Sequence, residues 1–224
     1  MKYADKSIVD DLVQRGRHRQ LIGGMWEELG KLQTDFLIAQ GLKPHHRLID
    51  VGAGSLRAGV PLTAYLDPHN YYGIDLHDDL LQAGLEREIE PAGLGAKLTA
   101  RNLHATGVFD VSPFGVRFDY GIAQSVFTHM ALSHLTDCLN ALAPYFVDGG
   151  RYYVTYFECP EDAPIDVPYT HETGGIVTHG DQDPFHITQS GLHDLTPEGW
   201  RLEIIGNWNH PRDQRMALFH RNGE

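Results

Sequence analysis

Leu48-Ile49-Asp50-Val51-Gly52-Ala53-Gly54-Ser55-Leu56 decides the fold of this chain. An apolar run ends in a Gly-x-Gly turn, and helix-forming sequence follows. That order reads as a buried parallel strand running into a loop where backbone must come close to a ligand. The next strand candidate, Asn70-Tyr71-Tyr72-Gly73-Ile74-Asp75, ends in an acid 21 positions after Gly54. Bare glycine backbone admits a nucleotide-like ligand, and an acid at the tip of the second strand can accept from two ribose hydroxyls. The alternative is a tight turn of an ordinary α/β protein; the spaced acid favours a pocket for an adenosine-bearing cofactor.

What is missing narrows the cofactor. A dinucleotide fingerprint needs a third glycine three residues after the second, and Arg57 stands there. A pyrophosphate rests on a helix N-terminus that backbone approaches closely, which a long Arg does not offer. A P-loop would end in Gly-Lys-Ser/Thr, and no such ending follows. S-adenosyl-L-methionine fits what remains, because it carries adenosine and an amino acid but no phosphate.

Outward from this stretch the chain alternates. Strand candidates at 47–51, 70–75, 96–100, 117–123 and 150–157 are separated by helical candidates at 57–66, 78–89 and 131–143. Alternation of this kind implies a doubly wound, mostly parallel sheet, with ligands beyond its strand carboxyl ends. Two further strands, about 200–207 and 214–220, are joined by Asn209-His210-Pro211-Arg212-Asp213, short enough for an antiparallel pair. Residues 5 to 41 read as helical, with an apolar stripe at Met25, Leu29, Leu32, Phe36 and Leu37. Gly23-Gly24 interrupts the pattern, so Trp26 is either a lid residue beside a hinge or a core residue at a helix start. The stripe can bury itself on the sheet or on a second subunit, which leaves a homodimer open.

Four segments carry a family resemblance. Leu48 to Leu56 resembles the first motif of class I S-adenosylmethionine-dependent methyltransferases, and Tyr71 to Asp75 the second. Phe118-Asp119-Tyr120-Gly121-Ile122-Ala123-Gln124-Ser125-Val126-Phe127-Thr128-His129 is similar to their fourth-strand segment. Leu142-Ala143-Pro144-Tyr145-Phe146-Val147-Asp148-Gly149-Gly150-Arg151-Tyr152-Tyr153-Val154 is similar to their helix, turn and fifth strand. The flanks Ile22 to Gln33 and Trp208 to Gln214 resemble a bacterial subgroup associated with small-molecule acceptors. Leu56 departs from the pattern, since many members carry a third loop glycine there. The resemblance implies an α/β Rossmann-like methyltransferase fold, a seven-stranded sheet with a reversed last strand and an N-terminal helical extension. A length of 224 residues suits one domain, with a helical lid or extension at 1–42, a cofactor core at 43–157, a segment at 158–196 and a strand pair at 197–224. The 158–196 segment, rich in Pro, Gly, His, Asp and Thr with little periodicity, is either a substrate cover or a plain surface loop.

On this reading Asp50, Gly52, Ala53 and Gly54 line the methionine end of the cofactor. Asp75 holds the ribose, Leu76 packs on adenine, and Asn102 faces the adenine edge. Gln124 and Ser125 present backbone to the amino-acid part. Arg57 either meets the carboxylate or is a first-turn surface residue. Methyl transfer needs alignment and, for a hydroxyl acceptor, a base. Among 14 histidines, His129 follows the fourth strand, His186 lies in the cover and His210 in the last turn. These three are the candidate bases; packing or loop ordering is the competing role of each. Tyr156 and Glu158 are candidate acceptor contacts. No pattern of paired His or Cys supports a metal.

The expected activity is methyl transfer from S-adenosyl-L-methionine to a small polar acceptor, at a hydroxyl oxygen, leaving S-adenosyl-L-homocysteine. The alternatives are a nitrogen, glycan or protein acceptor, or a cofactor-binding protein without turnover. A net charge of −12 argues against nucleic acid. No apolar run is long enough for a membrane span, no leader is evident, and the two cysteines, Cys138 and Cys159, show no disulfide or metal spacing. These features suit a cytoplasmic protein.

Overall fold

The computed structural model describes residues 5–223. Its centre is a seven-stranded path in the order β3-β2-β1-β4-β5-β10-β9. These strands are β1 (Leu48–Val51), β2 (Tyr71–Asp75), β3 (Leu103–Ala105), β4 (Phe118–Ala123), β5 (Phe146–Glu158), β9 (Trp200–Asn207) and β10 (Arg215–Arg221). The first five pair in parallel, and β10 runs antiparallel to both β5 and β9. The reversed strand is the one the resemblance implies. Two-residue strands β6 (Tyr169–Thr170) and β7 (Val177–Thr178) form a hairpin, and β8 (His186–Ile187) extends the sheet beside the end of β5.

Burial on both faces explains the apolar strands. β1 and β2 are buried at every position, as expected for parallel strands covered by helices on each side. Alternation along β5 divides the core: Tyr152 packs on one face with Phe146, Trp200 and Phe219, and Tyr153 on the other with Tyr71, Tyr120 and Trp208. At Gly121 an added methyl would meet Tyr152, Phe146 and Ile49 at 2.7–2.9 Å. Gly121→Ala is therefore expected to destabilise the protein by about 1–3 kcal/mol, seen as an earlier denaturant midpoint at unchanged slope.

Helices α1 (Lys6–Gln14), α2 (His18–Leu21) and α3 (Trp26–Ala39) form the N-terminal extension. The interruption falls where Gly23-Gly24 places it, and Met25 takes a left-handed φ of 51°. The α3 stripe closes within the chain: Leu29 and Leu37 are buried, and Phe36 meets Tyr153 and Trp208 edge to face. Trp26 is half-buried beneath the Arg19 guanidinium, outside the buried core.

One strand and several helix bounds differ from the sequence reading. The third strand lies at Leu103–Ala105, not 96–100. The helix expected at 57–66 is α4 (Gly59–Tyr65), and the one at 78–89 is α5 (Asp78–Gly84) continued by a π turn. The 131–143 helix is α6 (Ser133–Leu142), and α7 (Gln189–Asp194) lies in the 158–196 segment, where the sequence reading places no helix. Leu56 takes the left-handed conformation itself, at φ 68°, with its side chain fully buried. A methyl on Gly59 or Gly84 would collide with that side chain at under 3 Å. The missing loop glycine is thus compensated by two glycines that make room for Leu56.

Candidate active site

The loop after β1 is tied to β2 before any ligand enters. The N–H groups of Gly52 and Ala53 both donate to the Ile74 carbonyl, at 2.8 and 3.0 Å. Gly54 N–H donates to Asp75 Oδ2 at 2.8 Å, and His77 N–H donates to Asp75 Oδ1 at 3.0 Å. Gly52 and Gly54 have φ of 75° and 55°, where a side chain is strained. Asp75 is buried, so one carboxylate fixes both loops at the mouth of β1 and β2.

Beyond these strand ends lies a cavity of ≈ 750 Å³. Its walls come from several parts of the chain. Asp50 comes from the end of β1, and Gly52, Ala53 and Arg57 from the first loop and the turn before α4. Asp75, Leu76, Thr106, Gly107 and Phe109 follow β2 and β3. Gln124, Ser125, Val126, His129, Met130 and His134 follow β4. Leu21, Ile22, Gly23, Asp183 and Arg212 close it from the N-terminal extension, the 158–196 segment and the last turn.

One end is basic. Arg57 Nη1 donates to the carbonyls of Ile22 and Gly24, each at 2.9 Å, and Nη2 donates to Gln124 Oε1. Arg212 Nη2 donates to the Gly23 carbonyl at 2.9 Å. The Arg57 guanidinium is buried, and desolvation pulls it down to about 10; it stays cationic at neutral pH. Two arginines therefore hold three consecutive carbonyls of the N-terminal turn, and neither has a carboxylate hydrogen-bonded to it among the described residues.

Asp50 carries the opposite charge under strain. Burial lifts its carboxyl to about 6, while the Tyr71 hydroxyl, donating at 2.7 Å, and the Arg57 charge pull it back. A folded value above the ordinary 3.8 means that the folded state holds a proton the unfolded chain releases. Stability is thus lost as pH rises from about 4 through about 6, on the order of 2–3 kcal/mol. Asn cannot titrate and keeps an oxygen for Tyr71. The stability of Asp50→Asn relative to wild type is expected to rise over that pH interval and level off above it, measured by urea unfolding. A pH-independent difference would contradict this.

No protein-family model matches the chain. Solved structures match it over nearly its whole length. The magnesium protoporphyrin IX methyltransferase of Synechocystis PCC 6803, with bound S-adenosylmethionine, superposes with TM-score 0.61 at 17% identity over 97% of both chains. DesVI of Streptomyces venezuelae superposes with TM-score 0.60 at 17% identity, over 98% of this chain and 99% of that one. An S-adenosylmethionine-dependent methyltransferase from Clostridium acetobutylicum gives TM-score 0.62 at 11% identity, over 97% and 98%. The chain has the class I methyltransferase fold.

Within that fold most residues singled out from sequence converge. Asp50, Gly52, Ala53, Arg57, Asp75, Leu76, Gln124, Ser125 and His129 line the cavity. Gly54 acts through its N–H on Asp75. Ser125 stands at φ 59° with its N–H on Thr155 Oγ1, which ties the turn after β4 to β5. Five others do not face the cavity. Asn102 closes a 3-10 turn with Thr99 and donates to the His69 carbonyl at 3.3 Å. The strand ends five residues later than expected, so Thr106, Gly107 and Phe109 occupy the wall instead. His186 is buried; its Nε2 donates to the Ile165 carbonyl at 3.2 Å, and Thr178 shares its hydroxyl between His186 and His171. That network holds the 158–196 segment together. His210 is buried behind the wall, stacked on Trp208 and 3.2 Å from Gln124 Nε2. Burial first, then the Arg212 and Arg57 charges, lowers it to about 4, so it is neutral and supports Gln124. Tyr156 donates to Glu158 at 2.8 Å, and neither is on the cavity wall.

His129 is the one of the three candidate histidines on the wall, and Asp183 Oδ1 lies 2.5 Å from its Nδ1. Asp183 and Arg212 are not among the sequence-based site candidates, and the Gly23-Gly24 interruption reads from sequence as a hinge and not as a cavity wall. The Asn209–Asp213 connection was legible as a turn, but nothing local in it shows that Arg212 reaches residue 23.

Proposed function

We propose that the chain binds S-adenosyl-L-methionine in this cavity and transfers its methyl group to a small polar acceptor at a hydroxyl oxygen. The observation that carries the reading is Asp75. It sits on the cavity wall at the tip of β2, braced by the Gly54 and His77 amides, opposite bare glycine backbone. An acid in that place suits ribose hydroxyls and repels phosphate. Leu76 and Phe109 offer apolar surface for adenine, and the Arg57–Arg212 end is complementary to a carboxylate. The neighbour from Synechocystis binds S-adenosylmethionine in the same fold, which supports the cofactor.

The acceptor assignment rests on the β4 side, where His129, His134 and Asp183 meet the cavity among Val126 and Met130. A proton-accepting group there suits a hydroxyl, which must lose its proton. The bound cofactor supplies a methyl on sulfonium: the acceptor oxygen forms the C–O bond and the C–S pair returns to sulfur. Residues 158–196 act as the substrate cover, since Asp183 belongs to the wall, and residues 1–42 act as the lid through Leu21 to Gly23. The net charge of −12 favours a small molecule over RNA. No described helix is long and apolar enough to cross a membrane.

Calorimetric titration tests the cofactor. S-adenosylhomocysteine should give saturable heat, and ATP and NAD none. Absence of binding by folded protein, with no cofactor released on denaturation by mass spectrometry, would overturn the proposal.

A further inference from the structure

The pairing of His129 with Asp183 joins two parts of the chain 54 residues apart. His129 lies on the turn after β4, and Asp183 lies in the cover. Their contact is 2.5 Å, both side chains are about one-third exposed, and both line the cavity. The frame around them is backbone. Phe185 N–H donates to the carbonyl of Thr128, the residue before His129, at 2.8 Å. His179 N–H donates to the Pro184 carbonyl, and His186 N–H to the His179 carbonyl, each at 2.8 Å. The buried His186 and Thr178 then anchor this turn to the rest of the cover. Asp183 is thus presented by a braced turn, not by a floating loop tip.

A carboxylate on Nδ1 has a chemical consequence. It accepts the Nδ1–H, which leaves the Nε2 lone pair as the basic site of the neutral ring. Among the described residues nothing is hydrogen-bonded to Nε2. We propose that Asp183 is a positioning residue for His129, so that the proton-accepting group of the acceptor site is assembled jointly by the β4 turn and the cover. This rests on the methyltransferase reading. The acceptor hydroxyl gives its proton to His129 Nε2 as its oxygen takes the methyl. Asp183 holds the ring in the required tautomer and steadies the imidazolium formed. The cover is then part of the proton path and not only a lid: a cover displaced from Thr128 leaves a histidine without its orienting acid.

The test is the His129 tautomer, read by long-range ¹H–¹⁵N correlation spectra of the ligand-free protein on the alkaline side of the histidine range. His129→Gln assigns the signal. Wild type should show Nδ1–H as the major neutral form. Asp183→Ala should revert it to the Nε2–H form that free histidine prefers, and Asp183→Asn, which keeps an oxygen, should retain it. Asp181→Ala, an exposed acid of the same turn, should change nothing. A major Nε2–H form in wild type, or a tautomer indifferent to Asp183→Ala, overturns the proposal. If Asp183→Ala does not fold, the wild-type and Asp183→Asn spectra decide. Binding of S-adenosylhomocysteine is measured on the same samples. Its absence with the tautomer intact would sink the methyltransferase reading and leave the dyad standing.

Discussion

Asp75→Ala is expected to weaken S-adenosylhomocysteine binding by roughly 100-fold or more. Two contributions add. A carboxylate accepting from ribose hydroxyls makes charge-assisted bonds of about 1.5–3 kcal/mol each. The same carboxylate holds the Gly54 and His77 amides, and the loop at Gly54 loses its course when that anchor goes. Both amides point at a buried oxygen, and an orphaned buried donor costs about 1–3 kcal/mol. The variant should therefore also unfold at lower denaturant. Asp75→Asn separates the contributions. Its oxygen can serve one amide, but its NH₂ faces the other donor, so it relieves only part of the loop defect. A carboxylate that merely braces the loop predicts affinity tracking stability across the two variants. A ribose contact predicts that affinity falls much further than stability. Titration of folded Asp75→Ala with near-wild-type affinity would rule out the ribose role.

The same residue shows what the sequence makes legible. Strands buried on both faces are largely apolar, so β1 and β2 are plain as runs despite Asp50, and the glycines and acid at their ends mark positions that no generic residue fills. The third strand had no such constraint. Leu103–Ala105 is only half-buried, while Ala96-Lys97-Leu98-Thr99-Ala100 contains a fully buried leucine and looks strand-like. Lys97 instead ties down the carbonyls of Thr63, Ala64 and Leu66 around the end of α4. With the strand placed too early, the sequence reading puts Asn102 at the cavity, where Thr106, Gly107 and Phe109 form the wall. Arg57 illustrates a different limit. Its carbonyl partners lie 33 and 35 residues upstream, and no local pattern encodes such a clamp. The two-residue strands of the cover are too short for any periodicity. Sorting the histidines required distances, because burial separates His186 and His210 from His129 while their sequence surroundings do not.

His129→Gln is expected to lower kcat for a hydroxyl acceptor by roughly 10²–10⁴-fold, the usual contribution of a positioned base, with S-adenosylhomocysteine affinity unchanged. The affinity arm matters because His129 also lines the cavity, so a packing role would show as weaker cofactor binding at preserved turnover. The dependence on acceptor acidity separates base catalysis from orientation. An alcohol keeps its proton at neutral pH and needs the histidine. An acidic phenol or a thiol reaches the site already ionised in part, and its methylation needs the histidine less. Assayed as S-adenosylhomocysteine formed from a panel of such acceptors, the wild-type to variant ratio should be greatest for alcohols and fall toward one as the acceptor becomes more acidic. A ratio that is the same for every acceptor would assign His129 to alignment alone. A ratio near one throughout would remove it from the reaction, and His134, the other histidine on the β4 wall, would be the next to substitute.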